Sequence, residues 1–286
     1  MAGVVHFLDP YRYRSTFHKH NPDISLEDFC QDYLDHLDEI ITFEGPETIA
    51  GILIESVTGT NGVIIPPDGY LQGIRQICDR YGILLITDEV MSGFGRTGRW
   101  FAIDHWDVIP DLITMAKGLT SGYAPLGAVA MREEIAAFFN ERIYQGGLTY
   151  NAHPICLAAA IANLSVMQDD HLIDHANKMG AVMHRLMTDL GEQHPSVGEV
   201  RSIGLFGAIE LVRDRKSKDP FTPYNGSSPE MIALRKKLLD LGLFLYTHWH
   251  TLLIIPPLII TDDQLAEGFQ AIDRALEITD TALNKS

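Results

Sequence analysis

The sequence is poor in cysteine, in positive charge and in long apolar runs, and each shortage excludes something. Its three cysteines, Cys30, Cys78 and Cys156, are an odd number, widely spaced, with no CxxC pair. They give neither a disulfide framework nor a thiolate metal site, and they suit a reducing cytoplasm. Lysine and arginine number 22 against 38 aspartates and glutamates, a formal charge of −16. Neutralising phosphates takes clustered basic charge, so nucleic acid is excluded as the main partner. The one basic stretch, Tyr11–His20, reads as a surface loop. No run approaches the roughly 18 uninterrupted apolar residues of a membrane span. Met1–Pro10 lacks the basic region, apolar core and cleavage site of a signal peptide, and reads as the interior of a domain.

What is there is enough for a core. With 286 residues, 46% of them hydrophobic, the chain can build one large domain or two ordinary ones. Leu26, Phe29, Cys30, Tyr33, Leu34, Leu37, Ile40 and Ile41 recur at helical spacing and predict a first helix with one apolar stripe. Ser25 with Asp28 is a weak relative of the capping box that opens it. Aliphatic runs predict strands at residues 51–57, 83–87, 112–115 and 127–131, with a helix through Leu71 to Tyr81 between the first two. Their lack of alternation predicts strands covered on both faces. From about residue 151 the texture changes. Helices are expected around 155–167 and 171–190, strands at 200–203 and 206–212, and a helix opened by Ser228 and Pro229. A strand at 252–255 and a helix from about 262 close the chain. The reading is an α/β protein with a mixed, mainly parallel sheet over residues 1–155. Linking helices follow over 156–195, then a smaller C-terminal α+β domain over 196–286.

Several motifs are decoys. Leu84–Glu89 resembles the acidic strand of a phosphate-loop ATPase, but no GxxxxGK[ST] loop accompanies it. Gly93-Phe-Gly-Arg-Thr-Gly98 matches GxGxxG, yet bulky Arg99-Trp100-Phe101 follows where a helix of small residues is needed. His171 and His175 lack the glutamate and third ligand of a zinc site and read as a solvated helix face. His248 and His250 flank Trp249 without supporting ligands, so no metal is expected. Asn163-Leu-Ser165 and Asn225-Gly-Ser227 match the glycosylation pattern, which means little without a secretion signal.

The informative element is Asp111-Leu-Ile-Thr-Met-Ala-Lys-Gly-Leu119, a lysine at the mouth of an apolar strand. Strand-end lysines are commonly exposed bystanders. Asp88, however, ends the preceding strand, where α/β sheets bind ligands. A lysine amine that forms an imine, with an acidic partner for a ring nitrogen, is what pyridoxal 5′-phosphate needs.

At these residues the chain resembles the class III (ω-amino acid) aminotransferases of the fold type I pyridoxal-phosphate enzymes. The matching pieces are Glu55 with Gly59, Gly62–Tyr70, Leu85–Val90, Gly93–Gly98, Pro110-Asp111, Ala116–Leu119, Gly147–Pro154 and Ile255–Ile260. The texture is nearest the taurine- or β-alanine–pyruvate branch. The resemblance implies Lys117 as the Schiff-base and proton-transfer lysine, Asp88 as partner of the ring nitrogen and Val90 against one ring face. It implies that Thr149 reaches the phosphate of the partner's cofactor across a homodimer interface. Glu55 stands where relatives pair a carboxylate with a substrate-gating arginine, but Leu253 stands in that arginine's place. Met91 stands where glutamine is common. The implied reaction moves an amino group from an ω-amino acid or amine to a keto acid such as pyruvate. The family's Gly/Ser-rich phosphate cradle has no counterpart upstream of Glu55, so the resemblance is to the C-terminal part of such an enzyme, N-terminally truncated. A non-catalytic remnant or subunit, or an aminomutase or decarboxylase on the same scaffold, is the alternative.

Overall fold

The computed structural model describes residues 3–21 and 23–283. They form two compact units. The first comprises the chain up to Val57, Ile65–Phe94 and Arg99–His171; the second comprises Thr58–Ile64, Gly95–Gly98 and the chain from Leu172 onward.

In the first unit, α1 (Leu26–Glu44) begins at Ser25, whose hydroxyl accepts the Asp28 N–H at 3.0 Å, and stops at Gly45. The Asp28 carboxylate accepts a hydrogen bond from the Ser25 hydroxyl instead of reaching back to the backbone, so only half of a capping box is made. Phe29, Cys30, Tyr33, Leu37 and Ile41 form its buried stripe. Leu26, expected in that stripe, is 56% exposed because the stripe starts one turn later. A second helix, α2 (Tyr70–Tyr81), ends at the left-handed Gly82. Strands β1 (Gly51–Glu55), β2 (Leu84–Asp88), β3 (Leu112–Met115) and β4 (Ala128–Met131) lie side by side in that order. The first three are parallel and β4 is antiparallel to β3. A short α3 (Glu133–Ala137) and the longer α4 (Pro154–Asp169) follow.

The expectation of strands covered on both faces fails here. Leu85 is fully buried, as is Thr87, on one side of the sheet, while Leu53, Leu84 and Val129 on the other are 61%, 37% and 54% exposed. An aliphatic run reports that a strand can be covered twice, not what covers it.

The second unit is built on β5 (Val197–Ile203) and β6 (Phe206–Asp214), the two strands expected there, which pair antiparallel. A two-residue β7 (Asp219–Pro220) pairs with β6. Strands β8 (Tyr246–His248) and β9 (Thr251–Ile254) complete the sheet in the order β5-β6-β9-β8. Helices α5 (Leu172–Gln193), α6 (Pro229–Asp240) and α7 (Asp262–Leu283) supply its cover. Ser228 caps α6 by accepting the Met231 N–H, and Pro229 occupies the first turn. Met183, Met187, Ile209, Leu211, Phe221, Leu234, Leu252 and Leu276 are among one continuous buried cluster. The units divide between α4 and α5, within the stretch read as linking helices, because the two helices pack into different cores. No helix of the described residues is long and apolar enough to cross a membrane.

Candidate active site

The strand register brings Glu55, Asp88 and Thr114 side by side at the carboxyl ends of β1, β2 and β3. Lys117 opens a tight 3₁₀ turn, Lys117–Leu119, just beyond β3. Its backbone sits at φ +40°. Such a conformation costs a non-glycine residue about 1–3 kcal/mol and persists only where its surroundings impose it. Here they do. The Leu119 and Thr120 N–H groups donate to the carbonyls of Ala116 and Lys117 at 2.9 and 3.2 Å. From α4, the Asn163 side-chain amide donates to the Gly118 and Leu119 carbonyls at 2.9 and 3.2 Å, and its oxygen accepts the Ser121 hydroxyl at 2.7 Å. A side chain at position 118 would lie 2.9 Å from the Phe94 Cβ, so only glycine lets the turn close against that loop.

The Lys117 side chain is exposed, and among the described residues its ammonium has no hydrogen bond or ion pair. Asp88 is half-buried, and one carboxylate oxygen accepts the Val90 N–H at 2.8 Å. The other oxygen accepts nothing among the described residues. The Thr114 hydroxyl beside it is buried with no partner. An unengaged amine, a free carboxylate oxygen and an orphan hydroxyl at one sheet end fit a ligand that has an aldehyde and a cationic ring nitrogen.

Two carboxylates to which the sequence reading gave no role organise this row from behind. Glu89 is fully buried and saturated. It accepts the hydroxyls of Ser56 and Ser92 at 2.6 Å each, and the N–H groups of Ala102 and Ile103 at 3.0 and 2.9 Å. These four bonds pin the turn after Asp88 to the end of β1 and to the start of the next helical turn. Asp111 accepts the Leu85 N–H and the Arg75 guanidinium at 2.7 Å each, and Arg132 at 3.1 Å. Burial pushes the Asp111 carboxyl upward, but the Leu85 N–H and the Arg75 cation outweigh it and hold it below its ordinary value. Neither role nor that of Asn163 was legible locally, because apart from Ser92 beside Glu89 the partners described here are distant in sequence.

Of the remaining expected residues, Val90 borders this row through its N–H bond to Asp88. Val90 and Met91 are half-buried in the turn that follows β2. Thr149 sits in a stretch, residues 141–152, whose every residue is exposed. Leu253 is fully buried in β9 of the second unit, in register with Ala208 and Tyr246. Of the decoys, the Gly93–Gly98 loop opens no helix; within the second unit Arg96 donates to the carbonyls of Leu205 and Pro256 at 2.9 and 2.6 Å. His171 precedes α5, while His175 bonds the Ile260 carbonyl at 2.8 Å and so is no solvated bystander. Trp249 and His250 form the two-residue turn between β8 and β9, with His250 beside the Glu210 carboxylate at 3.3 Å.

A parallel sheet whose strand ends align an acid, beside a strained lysine turn, defines an α/β domain suited to imine chemistry. Comparison with known proteins makes this specific. The profile of the family described as aminotransferase class-III matches residues 4–276. Putrescine–pyruvate aminotransferase of Pseudomonas aeruginosa is 35% identical over 285 residues, covering 99% of this chain and 60% of that protein. Taurine–pyruvate aminotransferase of Bilophila wadsworthia is 34% identical, covering 96% and 60%. The crystal structure of taurine:2-oxoglutarate aminotransferase from Bifidobacterium kashiwanohense, in complex with PLP and glutamate, superposes with a TM-score of 0.93 at 40% identity. That superposition covers 99% of this chain and 63% of that one. The chain belongs to the class III aminotransferases, and its fold is that of the fold type I PLP-dependent transferases. It spans about 60% of the length of the curated relatives it matches.

Proposed function

We propose that this chain carries the lysine and acid of a pyridoxal-phosphate-dependent aminotransferase that moves an amino group from an ω-amino acid or amine to a keto acid such as pyruvate. The observation that supports it most is the unengaged Lys117 amine at the same sheet end as the free Asp88 oxygen. Bound there, the cofactor supplies an aldehyde for the amine and a ring that accepts electrons from the substrate's amino-bearing carbon. Asp88 holds the ring nitrogen protonated through its free oxygen. The Val90 N–H fixes the carboxylate's orientation, and the Val90 side chain covers one ring face. With the cofactor bound, Lys117 would serve as the acid and base that takes a proton from the donor's amino-bearing carbon and returns one on the cofactor side. Asn163 acts through the Lys117 turn as a positioning residue. Glu55 and Met91 belong to the choice of substrate.

The active assembly is a homodimer in the cytoplasm, with Thr149 reaching the partner's cofactor phosphate. Exposed Ile143, Tyr144, Leu148, Tyr150, Ile155 and Ile161 around Thr149 support such an interface, since so apolar a surface is rarely left to water. Three free cysteines suit a reducing compartment.

The test is spectroscopic. Protein mixed with pyridoxal phosphate should show the visible absorption of bound cofactor, and Lys117→Ala should abolish that band; a band that survives the substitution refutes the assignment. Consumption of pyruvate matched by alanine formation would separate transamination from an aminomutase or a decarboxylase. Cofactor binding without any turnover would identify a non-catalytic remnant.

A further inference from the structure

The Thr114 hydroxyl is shielded from solvent and bonds nothing among the described residues. Buried hydroxyls in folded proteins are paired as a rule, so an exception asks what the group is kept for. The strand register narrows the answer. Thr114 stands in β3 between Asp88 of β2 and Val129 of β4, each its Cα partner. In-register residues of neighbouring strands point to one face, as do residues two apart along a strand. The neighbours of Thr114 on that face are therefore Asp88, Val129 and, two residues back in β3, Leu112. Of these side chains only Asp88 carries an acceptor. One of its oxygens accepts the Val90 N–H and the other is unengaged. The Thr114 carbonyl accepts the Glu89 N–H at 2.9 Å, which ties this point of β3 to the turn after Asp88. Paired strands run about 4.8 Å apart, so rotation about the Thr114 Cα–Cβ bond brings the hydroxyl within reach of the carboxylate.

We propose that Thr114 is a positioning residue for amino transfer: its hydroxyl donates to the Asp88 carboxylate while that acid holds a cationic ring nitrogen. The proposal rests on the reading of Asp88 as the partner of that nitrogen. A carboxylate oxygen has two lone pairs, so one oxygen can face the ring N–H and the threonine hydroxyl together. A hydrogen bond to the ionised form favours it, which keeps the acid charged and leaves the proton on the ring. Of the two residues that flank Asp88 in the row, Glu55 and Thr114, only Thr114 suits this task, because an ionised carboxylate has no proton to donate. Valine would match the shape of threonine and lose the donor; serine would keep it.

The experiment compares the full chain with its Thr114→Val and Thr114→Ser variants in two measurements. The first is thermal melting without cofactor. Thr114→Val should keep or raise the melting temperature, because it removes an unpartnered hydroxyl and suits a strand. A lowered melting temperature would show that the hydroxyl already serves the fold, and would overturn the proposal. The second uses pyridoxal phosphate carrying ¹⁵N in its ring, whose resonance reports whether that nitrogen is protonated. The parent and Thr114→Ser should both show the protonated ring. Thr114→Val should shift the resonance toward neutral pyridine and weaken cofactor retention about tenfold. A protonated ring in all three proteins would overturn this proposal alone, as would equal shifts in the serine and valine variants. A parent that fails to take up the cofactor, or holds it with a neutral ring, would overturn the reading of Asp88 and this proposal with it.

Discussion

The two units bury their apolar residues to very different degrees. In the second, β6 is buried from Phe206 to Val212, and three helices close one continuous cluster around it. In the first, the sheet has one open face, and α4 buries only Ala160 and Met167 while Ile155, Ile161 and Val166 lie in the open. The chemistry proposed for the molecule sits in the less covered unit. A functional row at strand ends asks only that the ends be in register and the turns behind them be fixed; it does not ask that the sheet be covered. Here the fixing is polar, through Glu89, Asp111 and Asn163, where the second unit adds a continuous apolar cluster to its own buried ion pairs.

That contrast can be broken or sharpened by substitution. The largest effect is expected for Phe206→Ala, which empties a fully buried site in the second unit and should cost about 3–5 kcal/mol in urea unfolding. Asp111→Asn should cost about 3 kcal/mol, because it removes the buried carboxylate that Arg75 and Arg132 share and leaves Arg75 with only the exposed Asp79. Its pH dependence has a definite sign. The Asp111 carboxyl is held below its ordinary value in the folded chain, so its contribution is full above the unfolded value of about 3.9 and is lost as pH falls through the folded one. The Asn variant should therefore lose less stability than the parent between neutral pH and that acid range, as thermal melts across pH would record. The smallest effect is expected for Leu53→Thr on the open sheet face, within about 0.5 kcal/mol. A cost like that of Phe206→Ala would show that Leu53 is covered in solution and remove the contrast.

Much of the fold was legible because its periodicities are strong. The strand at Leu112–Met115 falls where its aliphatic run ends, and the caps at Ser25 and Ser228 mark true helix starts. The positions of Asp88 and Lys117 at the ends of neighbouring strands were readable from the aliphatic runs that precede them. Strand β8 was not, because its Tyr-Thr-His has no apolar run and owes its state to pairing with β9. The side on which α4 packs was equally illegible, since its residues are apolar on every face and carry no stripe. The open face of the first sheet escaped because composition records capacity for burial, while coverage depends on neighbours distant in sequence.

Asp88 and Glu89 are adjacent acids with opposite fates: one has an unengaged oxygen beside the lysine turn, the other is enclosed by four donors. Only the two-residue repeat of an extended chain separates them. Deleting any single residue within β2 would slide the pair by one step, putting Glu89 in the place of Asp88, Asp88 in that of the buried Thr87, and apolar Val90 among the four donors. The segment therefore tolerates exchange of its aliphatic side chains far better than any change of length, and indels in β2 should be far more damaging than point changes among Leu84, Leu85 and Ile86.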